Sequence, residues 1–162
     1  MSGQDHFLRN AMEVHGDTVY RLALCRTQNA ADAEDVYQDV FLSLLRQNEP
    51  DWDGEHLKAW LIRTTLNRCT DLRRFRWKRS VLPLAEVPEL AGPVEDEAAE
   101  LWEAVAHLPE KLRTVVHLYY AEGWSTEEIA KVMDCPPATV RTRLHRARRS
   151  LKDLIGGFDH GE

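Results

Sequence analysis

Apolar residues recur at spacings of three and four along nearly the whole chain, and no run alternates with the period of two that marks a half-buried strand. The pattern predicts an all-α fold. It is interrupted over residues 80–97, where Pro83, Pro88, Pro93 and Gly92 are scattered among leucine, valine and acidic residues. Proline lacks a backbone donor and clashes with a helix interior, so this stretch reads as a flexible acidic linker. Two small helical domains are expected on either side, residues 1–79 and 98–155, followed by a short tail, residues 156–162.

In the first half, Asp32 is placed to cap a helix running to about Arg46, with Asp35 in the position of a capping-box acid. Val36, Val40, Phe41, Leu44 and Leu45 form its apolar stripe, leaving Asp35, Gln38, Asp39 and Leu42 nearer the outer face. The next helix, starting near Asp53 or Gly54, offers Leu57, Trp60, Leu61, Leu66, Cys69 and Leu72 to a core. On its other side Arg63, Asn67, Thr70 and Arg74 fall in one line, since residues three and four apart lie on one helix face. Beyond them Arg73, Arg74, Phe75, Arg76, Trp77, Lys78 and Arg79 interleave cations with aromatic rings. Such a surface suits an unpaired nucleic-acid strand, because cations neutralise phosphates while aromatic faces stack on bases. The competing reading packs Phe75 and Trp77 inward and leaves the charges solvated.

The second half opens with an acidic helix over about residues 98–107 and then Leu108-Pro109, where proline suits the first turn of a new helix. That helix directs Leu112, Val115, Val116 and Tyr119 inward and stops near Gly123. Ser125-Thr126-Glu127-Glu128 forms a capping box for a short helix with Ile129, Ala130, Val132 and Met133 on its apolar face. Pro136-Pro137 forces a turn and starts the last helix, in which Val140, Leu144, Ala147 and Leu151 make the buried stripe. The opposite face is then Arg141, Thr142, His145, Arg146 and Arg149. A short capped helix, a tight turn and a second helix with a cationic outer face form a helix-turn-helix, whose second helix enters the DNA major groove. Arginine pairs with guanine O6 and N7, and threonine reaches a base edge or a thymine methyl.

The charge pattern sharpens this picture. The 162-residue chain has a formal net charge of −6, which by itself argues against a phosphate-binding partner. The positive charge is concentrated, however. Lys58, Arg63, Arg68, Arg73, Arg74, Arg76, Lys78 and Arg79 are opposed within residues 57–79 by Asp71 alone, and residues 141–152 carry Arg141, Arg143, Arg146, Arg148, Arg149 and Lys152 with no acid. Two basic surfaces on an acidic body follow. Cys25, Cys69 and Cys135 are odd in number and far apart, so they read as small buried residues rather than a disulfide set. The histidines form no ligand-spaced pair, so no metal or other cofactor is expected. There is no bilayer-length apolar run and no signal-peptide pattern at residues 1–10, which predicts a cytoplasmic protein.

Several segments together resemble the extracytoplasmic-function (ECF) sigma factors, small members of the sigma-70 family that direct bacterial RNA polymerase to promoters. Asp17-Thr18-Val19-Tyr20-Arg21-Leu22-Ala23, residues 32–41, and Ala59-Trp60-Leu61-Ile62-Arg63 with Asn67 resemble sigma domain 2. Residues 124–136 and 139–148 resemble sigma domain 4. The resemblance implies that Asp35, Gln38, Asp39 and Leu42 dock on core polymerase. It further implies that Arg63, Asn67, Arg73, Arg74, Arg76, Trp77 and Lys78 read and melt the −10 element, with Asn67 and a loop after Leu72 receiving a flipped base. The last helix would read the −35 element through Arg141, Thr142, His145, Arg146 and Arg149. Glu86, Glu89, Glu95, Asp96 and Glu97 would follow the polymerase RNA path by imitating nucleic-acid charge, and a separate anti-sigma factor would supply control. Pro137-Ala138 and the arginine- and aromatic-rich residues 73–79 depart from the family pattern and bear on which promoter is read.

Two other classes fit the sequence less well. A helix-turn-helix transcriptional regulator acting without core polymerase needs the same C-terminal half, but usually adds a dimerisation or ligand domain that residues 1–79 do not announce. An enzyme has less support: there is no glycine-rich phosphate loop, nucleophile motif or paired catalytic acids.

Overall fold

A computed structural model describes residues 3–48, 50–79 and 96–155, with the side chains of Gln4, residues 76–79, residues 96–98 and Ile155 excepted. Among the described residues every regular element is helical, as the apolar spacing predicts. The chain divides into two compact units, Met1–Pro88 and Glu89–Glu162. The stretch expected as linker, residues 80–95, lies outside the described residues, as do Glu86, Glu89 and Glu95. The backbone of Asp96 and Glu97 belongs instead to the first turn of a helix.

The first unit is built from α1 (Gly3–Thr27), α2 (Ala30–Leu45) and α3 (Gly54–Arg79). Val19, Ala23 and Leu24 of α1 meet Val36, Val40, Phe41 and Leu44 of α2 and Leu57, Leu61 and Cys69 of α3 in a buried core. Leu45, Trp60 and Leu72, expected in that core, are only half buried at its edge. Gly16 of α1 faces Tyr37 of α2, and a Cβ there would lie 3.0 Å from the Tyr37 hydroxyl. Tyr37 also sits edge-on to Tyr20 and against Phe41. Burial raises its hydroxyl pKa above the ordinary value, and the charge of Asp17 adds to the rise.

Asp32 is not the cap of α2. Gln28 takes a left-handed conformation (φ 55°), Asn29 an extended one, and the Asn29 side chain accepts the Asp32 backbone N–H at 2.9 Å. Asp32 is therefore already inside the helix, buried in its first turn. At α3 the expected start is observed: Asp53 accepts the His56 N–H at 2.8 Å. The helix then continues to Arg79, so residues 73–79 are helical rather than the expected loop. Nothing in their composition breaks a helix, and Arg and Lys are good helix formers.

The second unit contains α4 (Asp96–Ala106), α5 (Glu110–Val116), α6 (Thr126–Met133) and α7 (Pro137–Ile155). Pro109 is the residue before α5, one position earlier than expected, and Arg113 donates to the Leu108 carbonyl at 2.8 Å to close that corner. The chain does not keep a single α-helical register to Gly123. Residues His117–Ala121 form a π-helical turn, marked by a hydrogen bond from the Glu122 N–H to the His117 carbonyl at 3.1 Å. The wider turn changes which residues face inward: Leu118 is fully buried, whereas Tyr119, expected inside, is half exposed. Gly123 then reverses the chain at φ +73°, a conformation costly for residues with a Cβ.

Candidate nucleic-acid interface

The helix-turn-helix is assembled by local chemistry. Ser125 accepts the Glu128 N–H at 3.1 Å while the Glu128 carboxylate accepts the Ser125 N–H at 2.9 Å, completing the capping box expected from sequence. At the other end of α6, Asp134 adopts the left-handed conformation, and the Cys135 N–H donates to the Ala130 carbonyl at 3.1 Å. Asp tolerates that geometry better than most residues with a Cβ. Pro137 then occupies the first position of α7, where its missing N–H costs nothing.

Val140, Leu144 and Ala147 of α7 are buried against the rest of the unit, together with Ile129, Ala130 and Val132 of α6. Leu151 is half buried and ends the stripe. The same helical period exposes Arg141, Thr142, His145, Arg146 and Arg149, so the structure groups all five expected residues on the outward side of one helix. Arg148 has a different task. Its Nε donates to the Tyr120 hydroxyl at 2.8 Å and its guanidinium lies 5.8 Å from the Tyr120 ring centre, anchoring α7 to the π-turn. That turn is braced from within by His117, whose Nε2 lies 3.0 Å from a Glu122 carboxylate oxygen, both side chains being buried. Sequence reading missed this pair, although a His and a Glu five residues apart match the wider spacing of a π-turn.

In the first unit, Asp35, Gln38 and Leu42 are exposed on α2, with Leu42 at 51%, high for a large apolar side chain. Asp39 is half buried beside them because Arg68 reaches across from α3: its Nε lies 2.6 Å from Asp39 Oδ2. Arg63, Asn67, Arg73 and Arg74 are exposed on α3, and Phe75 is 55% exposed rather than packed inward. Thr70, in line with them, accepts a hydrogen bond from Arg26 at 3.1 Å and so also joins α1 to α3. The backbone of Arg76, Trp77 and Lys78 continues α3, while their side chains lie outside the described residues.

At the start of α3, Trp52 stacks on His56 with ring centres 4.6 Å apart and leans on Trp60 at 5.5 Å, an aromatic group that covers the edge of the core. Of the cysteines, Cys69 is buried as expected, whereas Cys25 and Cys135 are only partly so. His15, half buried on α1, has its pKa lowered, first by burial and then by the charge of Lys58.

An α6–turn–α7 pair with a cationic outer helix defines a helix-turn-helix DNA-binding protein. Comparison with known proteins narrows the class. Residues 11–79 match the model of Sigma-70 region 2, and residues 98–151 match Sigma-70, region 4. The ECF RNA polymerase sigma factor SigL of Mycobacterium tuberculosis is 33% identical over 153 residues, covering 90% of this chain and 86% of that protein. SigE of Mycolicibacterium smegmatis is 36% identical over 151 residues, covering 87% of this chain, which spans 58% of SigE. The chain belongs to the ECF sigma factors of the sigma-70 family, which are not enzymes.

Solved structures agree on the fold. CnrH, described in complex with the cytosolic domain of CnrY, is 27% identical with a TM-score of 0.68, over 97% of this chain and 92% of that one. RpoE from Bartonella quintana, in complex with the anti-sigma factor NepR, gives a TM-score of 0.77 at 23% identity, over 93% of this chain and 98% of that one.

Proposed function

We propose that this sigma factor binds core RNA polymerase through Asp35, Gln38, Asp39 and Leu42 of α2. It then reads and melts the −10 element through Arg63, Asn67, Arg73, Arg74, Arg76, Trp77 and Lys78 of α3, and reads the −35 element through Arg141, Thr142, His145, Arg146 and Arg149 of α7. The observation that carries this reading is the division of α7 into a buried Val140, Leu144 and Ala147 stripe and an exposed cationic face, directly after a capped helix and a tight turn. Domain limits at residues 1–79 and 98–155, with residues 80–97 between them, are part of the same proposal.

The two basic surfaces divide the work by chemistry. Arginines of α7 suit base edges and phosphates of duplex DNA. On α3, the exposed Phe75 ring among arginines suits a strand whose bases have left the stack. An acidic docking helix keeps DNA away from the face that polymerase needs. No helix among the described residues is long and apolar enough to cross a membrane. A cytoplasmic location is part of the same proposal, because core polymerase is the proposed partner.

A separate anti-sigma factor is proposed as a further partner; CnrH, solved with a domain of a second protein, supports a regulator of this kind. Pull-down of core polymerase by Leu42→Ala and Asp35→Ala variants tests the docking face. Both should weaken core capture while leaving thermal unfolding unchanged, and normal capture by the double variant would remove that assignment.

A further inference from the structure

Arg68 belongs to the basic helix α3, next in sequence to Asn67, yet its guanidinium is turned toward α2. There it meets Asp39 at 2.6 Å and the Ser43 hydroxyl at 3.3 Å, with Asp71 of its own helix 3.7 Å away. Asp39 shares its helix face with Asp35 and Leu42, four positions before it and three after. One carboxylate thus serves two surfaces: the acidic face of α2 and the basic side of α3.

The contact is suited to exchange. Arg68 and Asp39 side chains are 37% and 46% exposed, and ion pairs of such exposure add little net stability. Although Nε is close to the carboxylate, it lacks an aligned hydrogen bond, so the attraction is mainly between charges. A partner that brings its own cation to Asp39 displaces Arg68 at small cost, leaving an uncompensated cation on the helix that carries Arg63, Asn67 and Arg74.

We propose that Arg68 is a promoter-phosphate contact held in reserve by Asp39, released when a basic surface of core polymerase takes the Asp39 carboxylate. The proposal rests on the docking role given to α2 above. In the free chain Arg68 is neutralised, which weakens DNA binding before polymerase is engaged. In the assembled complex it adds one cation to the DNA-facing side of α3.

The test measures core affinity, and promoter-DNA affinity across a salt series, for the free chain and for holoenzyme assembled with core polymerase. Arg68→Gln holoenzyme should bind promoter DNA several-fold more weakly, with the log–log salt slope smaller in magnitude by about one, the loss of one phosphate contact. Arg68→Lys should keep the slope, and neither variant should weaken core binding. Asp39→Asn should weaken core binding and, in the free chain, tighten DNA binding and steepen its salt slope. Asp35→Asn removes the same charge without touching Arg68 and should leave that slope unchanged.

An unchanged slope for Arg68→Gln holoenzyme overturns the phosphate contact, as does an Asp39→Asn free chain that binds DNA no better than Asp35→Asn. If Arg68→Gln does not fold, the lysine and Asp39 variants decide the matter alone. Undiminished core binding by Asp39→Asn refutes its docking role and polymerase-driven release; the Arg68 slope reports separately on the DNA contact.

Discussion

Arg141 and Arg146 carry the most local claim: replacing either with Ala should weaken transcription from promoters that depend on a −35 element, each base contact contributing about 1–3 kcal/mol of discrimination. Run-off transcription from promoters with and without that element measures the effect; equal loss on both would reassign these arginines to phosphate contacts. At the same scale the sequence is legible where one backbone segment settles the outcome. Ser125, Glu128 and Pro137 were readable because a cap or a first-turn proline depends on a few neighbouring atoms. Asn29 and Asp32 both satisfy the rule for a cap, and the choice falls to the residue that follows the left-handed Gln28. In the sequence Arg68 is one of several cations, because its partner Asp39 lies on another helix. His15 gives a pH prediction. Its folded pKa is depressed, so below the ordinary value of 6.5 the unfolded chain takes up the proton first and stability falls as pH drops toward the folded pKa. Thermal unfolding of the first unit between pH 7.5 and 5 should show a slope that His15→Gln reduces.

Elements are less legible than residues wherever packing changes their period. The five-residue turn His117–Ala121 is invisible to a search for spacings of three and four, because both flanking segments fit those spacings separately. Its cost in backbone geometry is offset by burying Leu118, by the His117–Glu122 contact within the unit, and by the bond from Arg148 to Tyr120. Gly123 follows at φ +73°, and Gly123→Ala should destabilise the second unit by about 1–2 kcal/mol, the penalty for a Cβ in left-handed backbone. Chemical denaturation measures this directly, and a value near zero would mean the turn can rearrange. The end of α3 differs from expectation for another reason. Resemblance to the family implies a loop after Leu72, but a run of arginine, phenylalanine, tryptophan and lysine contains no helix breaker, and the backbone stays helical to Arg79. Arg73, Arg74 and Phe75 are exposed along it. Asn67→Ala, on the same helix, should slow promoter opening while core binding is retained, as read by fluorescence of a base analogue in the −10 element; loss of core binding would indicate a folding defect instead.

For the molecule as a whole, charge segregation was the informative property, and it was fully present in the sequence. A net charge of −6 hides two strongly basic stretches, and folding exposes Arg141, Arg146 and Arg149 on the outer face of α7 and Arg63, Arg73 and Arg74 on α3. Their assignment to two promoter elements, with α2 as the link to polymerase, is the central claim, and it differs from that of a simple DNA-binding regulator in requiring core enzyme. The most direct measurement is run-off transcription by core polymerase with and without the chain, on a promoter fragment selected by the reconstituted complex. The account predicts transcripts from one fixed start that need both components and disappear when either the −35 or the −10 element is scrambled. Tight binding of the fragment by the chain alone, with no engagement of core polymerase and no transcript, would contradict it.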